Sequence, residues 1–398
     1  MTDLVLYDDA IARGFEPFAL TRPFGEMRAG IMLVRARWEG AMGSAAAGAL
    51  VAEHLRDFEE PAAPRAVREA REGAIVANTR CIVPLGWSAP DADVWRCDGR
   101  VAAVRLGASV RDDALNYGAV ALEELKAAGA RVVDIPGRWV DAVWELITSL
   151  LPQLREDIEG AGPQLSCTVP DGAIVLGREQ LFVELGAIVE PQVVFDVTSG
   201  PVLVRAGAKV RAFTRLVGPC AVLANAVVLG DRVHGCSIGE HSVVRGEISE
   251  TIVLGQSNKG HDGFVGHSYL GRWVNLGAGT ITSNLKNTYG TVHLWTPAGM
   301  RDTGASKIGS LIGDHAKTGI GSRLTTGSVI GAGASVFGAQ MPPKYVPPFS
   351  WGEGAALEEF RLPKFLEIAE RVMSRRSVAL SERARRQLSA SHAKSRSG

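Results

Sequence analysis

The stretch VLVRAGAKVRAFTRLVGPCAVLANAVVLG (202–230) places Val204, Val210, Leu216, Val222 and Val228 at steps of six. Two later runs keep the same step: Phe264, Leu270, Leu276 and Thr282, then Ile312, Thr318, Leu324, Ile330 and Val336. All of these positions are large and apolar except the two threonines. A period of six suits neither a 3.6-residue helix nor an alternating hairpin. It predicts a hexapeptide β-helix, whose coils are triangles of short strands around one apolar column. Stacking buries a continuous core that no single repeat forms alone. The period breaks over residues 284–307, NLKNTYGTVHLWTPAGMRDTGASK, too long for a corner. Insertions in solenoids leave as loops on one face, often the binding face.

Outside 173–350 the texture differs. Residues 1–158 read as α/β, with strands at 4–8, 74–78, 81–85 and 100–106 and helices at 122–129 and 143–158. Residues 159–172 read as a linker. Residues 351–398 read as a helix that caps the open end of the prism, followed by a disordered tail, SASHAKSRSG.

The charge balances, with 43 basic and 43 acidic residues, which argues against a nucleic-acid partner. Five cysteines without CxxC spacing argue against a disulfide framework or zinc knuckle. The N-terminus lacks a signal-peptide pattern and no run of about 18 apolar residues occurs. The expectation is a soluble cytoplasmic protein.

The segment KGHDGFVGHSYLGRWVNLGAGTITSNLKNTYG (259–290) resembles the acetyltransferase half of bifunctional UDP-N-acetylglucosamine pyrophosphorylase/glucosamine-1-phosphate acetyltransferases. The shared features are a Gly-His (Gly260-His261), an apolar-Gly step (Leu270-Gly271), the run from Val274 to Thr280, and Asn284. The resemblance is closer to a shorter branch carrying HDGF, WVNLGAGT and SNLKN. The pattern from Tyr7 to Gly30, with YDD and TRP, is similar to that branch too. The resemblance implies a Rossmann-like, nucleotidyltransferase-like domain and then a left-handed parallel β-helix assembled as homotrimers. It implies acetyl-CoA in a groove between prisms.

It also implies roles. His261 is the general base, a task suited to an imidazole titrating near neutrality. Asp262 is placed to orient it, or to cap a turn. Asn284 contacts the sugar and supports the base. Lys286 and Lys259 are candidates to anchor the phosphate as point charges. Gly277, Ala278 and Gly279 allow close backbone approach by a pantetheine arm or an oxyanion, or simply turn a corner. Phe264 stands where the larger family has a tyrosine, and the upstream Arg and Lys that grip the sugar phosphate there are not evident. His267 reads as a packing residue.

In the N-terminal half the glycine-rich pyrophosphorylase finger is replaced. Thr21, Arg22 and Arg28 are the candidates for nucleotide phosphates, and Asp8, Asp9 or Asp98 for Mg²⁺. Ordinary salt bridges and strand ends are the alternative for these residues. The leading expectation is acetyl-CoA-dependent N-acetylation of an amino-sugar 1-phosphate such as glucosamine 1-phosphate. Nucleotidyl transfer from UTP or dTTP joins it if the N-terminal domain is active. Two alternatives stand beside it: a nucleotidyltransferase with a structural β-helix, and a non-catalytic sugar-nucleotide sensor.

Overall fold

The computed structural model describes residues 3–168, 170–178 and 180–397. The expected domain ends at 1 and 398, and Val169 within the expected linker, lie outside the described residues. The chain divides into two compact units, Met1–Glu145 with Ser381–Gly398, and Leu146–Leu380.

The first unit is built on a six-stranded sheet. Its strands are β1 (Leu4–Tyr7), β2 (Ala46–Leu50), β3 (Ile75–Asn78), β4 (Val94–Cys97), β5 (Arg100–Arg105) and β6 (Val132–Asp134), in the order β6-β4-β5-β3-β1-β2. β1 runs parallel to both neighbours, and β5 runs antiparallel to both of its own. LVLY and IVAN are apolar up to the terminal Asn78, and every residue of the two strands is buried. Such uninterrupted apolar strands suit a sheet covered on both faces. The expected helix at 122–129 is only a 3₁₀ turn, Leu122–Leu125, in which Leu122 alone is buried. Without an apolar face there is nothing to hold a longer helix.

The tail is also corrected. Residues 382–394 form a helix, capped where Ser381 Oγ accepts from the Ala384 amide at 3.0 Å. Its inner face carries Leu388 and Ser391, and Ser391 Oγ donates to the Leu20 carbonyl at 2.6 Å. The segment reads as disordered because its buried face is mostly small and polar rather than apolar.

The second unit opens with the helix Leu150–Ala161 and continues as a parallel β-helix of the hexapeptide type. Its main sheets have nine, six and five strands among the described residues. Val202, Leu203 and Val204 pair with Cys220, Ala221 and Val222, so one coil here spans eighteen residues, six per face. Val204, Val210, Leu216, Val222 and Val228 all lie in the core. Later coils are shorter: Ile248 pairs with Val265, seventeen residues on. This slip puts Val265 in the core column and leaves Phe264, which the six-step count placed there, only half-buried.

The insertion leaves and returns at one pinch point, where Leu285 pairs with Lys307 and the Ile308 amide donates to the Asn284 carbonyl at 3.0 Å. Between them lies a hairpin, His293–Thr296 and Gly299–Asp302. After the last coil the helix Leu362–Ser374 buries Phe365, whose ring packs edge-on to Phe349 at 5.0 Å.

Candidate functional site

Two corners of the prism carry the residues singled out above. At the first, the chain turns from the six-stranded sheet into the nine-stranded one. Glu250 and His267 occupy this corner on successive coils, each in the left-handed region with φ of 47° and 48°. The backbone stacks them: the Glu250 amide donates to the His234 carbonyl at 2.7 Å and the His267 amide to the Ser249 carbonyl at 2.8 Å. Asn284 follows on the next coil, seventeen residues beyond His267.

The side chains converge as the backbone dictates. His267 Nε2 is 3.3 Å from Glu250 Oε2, and its Nδ1 is 2.8 Å from Asn284 Nδ2. An amide N–H₂ facing Nδ1 leaves that nitrogen as the acceptor, so Nε2 carries the proton toward Glu250. The hydrogen bond from His267 holds the Glu250 carboxyl below its ordinary range, against the effect of burial. His267 is only 9% exposed. Gly266 makes the room: a Cβ there would sit 2.4 Å from the Phe264 ring and 2.9 Å from Asn284 Nδ2. Phe264 thus lies beside Asn284. His267 is a buried imidazole with a carboxylate on one nitrogen and an unprotonated second nitrogen, the arrangement of an oriented general base.

The second corner joins the five-stranded sheet to the six-stranded one. It holds His261, Asp262 and, one coil on, Gly277, Ala278 and Gly279. His261 and Asp262 are exposed. Lys259 is 2% exposed, and its ammonium donates to the carbonyls of Arg245 at 3.1 Å, Asp262 at 2.9 Å and His261. This corrects the expectation of a phosphate anchor, because three carbonyls already take the three donors. The glycines pack coil on coil, and a Cβ at Gly277 would lie 2.5 Å from the Gly319 carbonyl. At Gly277 smallness is a stacking requirement, whereas at Gly279 a Cβ would only touch Gly321 at 3.7 Å and it is the φ of 69° that favours glycine. Lys286 lies at the root of the insertion, where its ammonium donates to the Thr291 carbonyl at 2.8 Å.

So Asn284 and Glu250 hold His267, with Phe264 beside Gly266, while His261, Lys259 and the glycines sit at a different corner. His267, expected as a packing residue, is the ring held at both nitrogens, and His261, expected as the base, is exposed. The sequence signal was a repeated step: Glu250, His267 and Asn284 are each one seventeen-residue coil apart.

In the first unit, the TRP segment is interior scaffold. Thr21, Arg22 and Arg28 are 3%, 2% and 1% exposed. Arg22 pairs with Glu60 at 2.8 Å, and Arg28 donates to the Ile31 carbonyl at 2.6 Å. Both oxygens of Asp8 are taken, one by Thr79 Oγ1 at 2.6 Å and one by the Phe24 amide at 2.9 Å, and burial raises its pKa. Asp98 is exposed in the β4–β5 turn. Among the described residues no three His, Cys, Asp or Glu side chains gather as a metal site. Asp8 and Asp98 therefore do not make a donor set for Mg²⁺.

A cavity of about 270 Å³ does open beyond the C-terminal ends of β1 and β3. Such crevices are where open α/β sheets bind ligands. Arg80 lines it, gripping Asp9 through Nε at 2.8 Å and Nη2 at 2.7 Å and Asp141 through Nη1 at 2.5 Å. Burial pushes the Asp9 carboxyl up, but the bonds and charge of Arg80 outweigh it and hold it low. Arg100 lies 3.9 Å over the Trp139 ring. Sequence reading missed Arg80, Arg100 and Trp139, because no spacing ties them to Asp9.

Comparison with known proteins fits this architecture. Residues 4–162 match the family model of sugar nucleotidyl transferases. The chain thus joins a domain of sugar nucleotidyl transferase type to a hexapeptide-repeat β-helix. A bifunctional sugar-1-phosphate nucleotidylyltransferase/acetyltransferase of Sulfurisphaera tokodaii is 33% identical over 91 residues, 23% of each chain. The bifunctional protein GlmU of Synechococcus elongatus is 26% identical over 221 residues, 55% of this chain and 40% of that one. The aligned region thus spans less than half the length of either relative. A solved hexapeptide transferase family protein from Anaplasma phagocytophilum covers 57% of this chain and 99% of its own at 15% identity, with a TM-score of 0.25, too low to bear on the fold. No helix among the described residues is long and apolar enough to cross a membrane.

Proposed function

We propose that this chain is a transferase of nucleotide-sugar biosynthesis whose β-helix moves the acetyl group of acetyl-CoA to the amine of an amino-sugar 1-phosphate. The observation that carries the reading is the Glu250–His267–Asn284 stack. The acceptor amine displaces the Asn284 amide from His267 Nδ1 and gives up its proton there as its nitrogen bonds to the thioester carbon. The tetrahedral intermediate then collapses and the C–S bond breaks. The CoA thiolate leaves and takes up the proton that His267 received. Glu250 holds Nε2–H and stabilises the imidazolium formed on the way. Asn284 is placed to donate its amide to the acceptor or to the carbonyl oxygen.

The resemblance to trimeric enzymes offers a role for the second corner. In a homotrimer, the Gly277–Ala278–Gly279 corner of one prism can face the His267 corner of its neighbour and carry acetyl-CoA. The sugar nucleotidyl transferase match supports a second reaction in the first unit, transfer from UTP or dTTP to a sugar 1-phosphate in the Arg80 cavity. Mg²⁺ would then arrive on the triphosphate, which often supplies most of its ligands.

The test is to incubate the purified protein with acetyl-CoA and glucosamine 1-phosphate, and separately with UTP and N-acetylglucosamine 1-phosphate. Acetyl transfer gives free CoA thiol and an acetylated sugar phosphate by mass. Pyrophosphate release without thiol release would leave the β-helix as a structural part of a nucleotidyltransferase. Neither product would point to a sensor or scaffold.

A further inference from the structure

A cleft opens in the β-helix unit away from the residues of the His267 corner. It holds about 720 Å³, within the size range of a small-metabolite site. Its floor is the outer face of the five-stranded sheet and the coils that extend it. Val227, Val243, Asn258, Asn275 and Lys317 follow one another there on successive coils. Its rim is the chain just past the helix Leu362–Ser374, with Arg375 and Arg376.

The chemistry of the lining is one-sided. Three cations, Lys317, Arg375 and Arg376, meet there, and no Asp or Glu is among the described residues that line the cleft. Lys317 has no ion pair among the described residues, and its ammonium reaches only the His315 carbonyl, at 3.0 Å. Burial pushes its pKa down to about 8. A half-buried ammonium without a counter-charge is costly unless an anion joins it. Arg376 donates to the His241 carbonyl, which ties the rim to the prism. Arg375 is exposed and makes no ion pair among the described residues. Helix C-termini favour cations, which accounts for an arginine at 375 but not for the lysine on the sheet.

The polar remainder is amide. Asn258 Nδ2 donates to Asn275 Oδ1 at 3.0 Å, and Gln256 accepts from Arg272 at 3.0 Å. Asn258 Oδ1 and Asn275 Nδ2 stay available as an acceptor and a donor. Paired amides beside cations without a counter-charge in the lining match a ligand with a charged end and a hydrogen-bonding body.

We infer that this cleft binds a phosphorylated metabolite, with its phosphate among Lys317, Arg375 and Arg376 and its hydroxyls or heterocycle on Asn258 and Asn275. The site lies within one protomer and does not depend on the acetyl-transfer reading.

The test is calorimetric titration of the full-length protein with inorganic phosphate, glucose 1-phosphate and uridine diphosphate. Wild type is compared with Lys317→Met and with the double variant Arg375→Gln/Arg376→Gln, whose substitutions lie at a helix end and spare the core. Arg80→Gln serves as the control for the cavity in the first unit. The expected result is a binding component for at least one probe that weakens tenfold or more in both β-helix variants and persists in Arg80→Gln, which removes only what the first-unit cavity contributes. Binding of inorganic phosphate alone would identify a phosphate site, and tighter binding of the sugar phosphate or of the nucleotide would identify the body it reads. No binding at millimolar concentration, or equal binding in wild type and both variants, would overturn the inference.

Discussion

The two histidine corners of the β-helix differ in what surrounds the ring, not in the sequence that introduces it. Gly260-His261 and Gly266-His267 present the same dipeptide within a few residues. At the first, the organised group is Lys259, whose buried ammonium gathers three carbonyls and fixes the turn. His261 projects from that turn into solvent. At the second, the backbone turn is supported by coil stacking, and the side chains are left to organise one another. His267 is held between Glu250 and Asn284 at 3.3 and 2.8 Å. A base needs a fixed tautomer and an oriented lone pair, and only the second corner supplies both. The lesson is that in a solenoid the neighbours that matter lie one coil away, not next in sequence.

Substitutions can break that contrast. Glu250→Gln is expected to lower kcat for acetyl transfer about ten- to a hundredfold with a smaller change in KM, because the carboxylate acts through His267. An unchanged kcat would make the Glu250 contact merely structural. Asn284→Ala is expected to cost about tenfold in kcat/KM, the size of about one lost hydrogen bond. Lys259→Met should leave turnover per folded molecule nearly intact and lower stability by about 1–3 kcal/mol in urea melts, as buried carbonyls lose their donor. A variant that stays as stable but loses activity would return Lys259 to the substrate.

The pH dependence gives a smaller effect with a definite sign. The Glu250 carboxyl is lowered in the folded chain by His267, despite burial. Its contribution is therefore full above the ordinary carboxylate range and is lost as pH falls through the lowered value. Acid titration of stability should be shallower in Glu250→Gln than in wild type. A steeper acid loss in the variant would contradict the pairing.

Much of the fold was legible because a prism core demands one apolar residue per face. That demand shows as the six-step run from Val204 to Val228, all in the core. The slip at Phe264 was not legible, because a corner can drop one residue without leaving a mark in composition. The same property hid the site. The Glu250, His267 and Asn284 step is visible only once the local coil is known to be seventeen residues long. Asn284 was singled out through the resemblance, and its amide lies 2.8 Å from His267 Nδ1. In the first unit, Arg22 and Arg28 look from sequence like free phosphate ligands, yet both are interior and bonded. A sequence does not say which way an arginine points, and Arg80 carries the cavity without a motif.

The most direct test sets His267→Ala beside His261→Ala, measuring CoA thiol release with saturating acetyl-CoA and glucosamine 1-phosphate on folded, assembled protein. Loss of a general base costs about a hundredfold or more, so His267→Ala should fall by at least that much while His261→Ala stays within about twofold of wild type. A collapse in His261→Ala with His267→Ala near wild type would move the chemistry to the other corner of the prism.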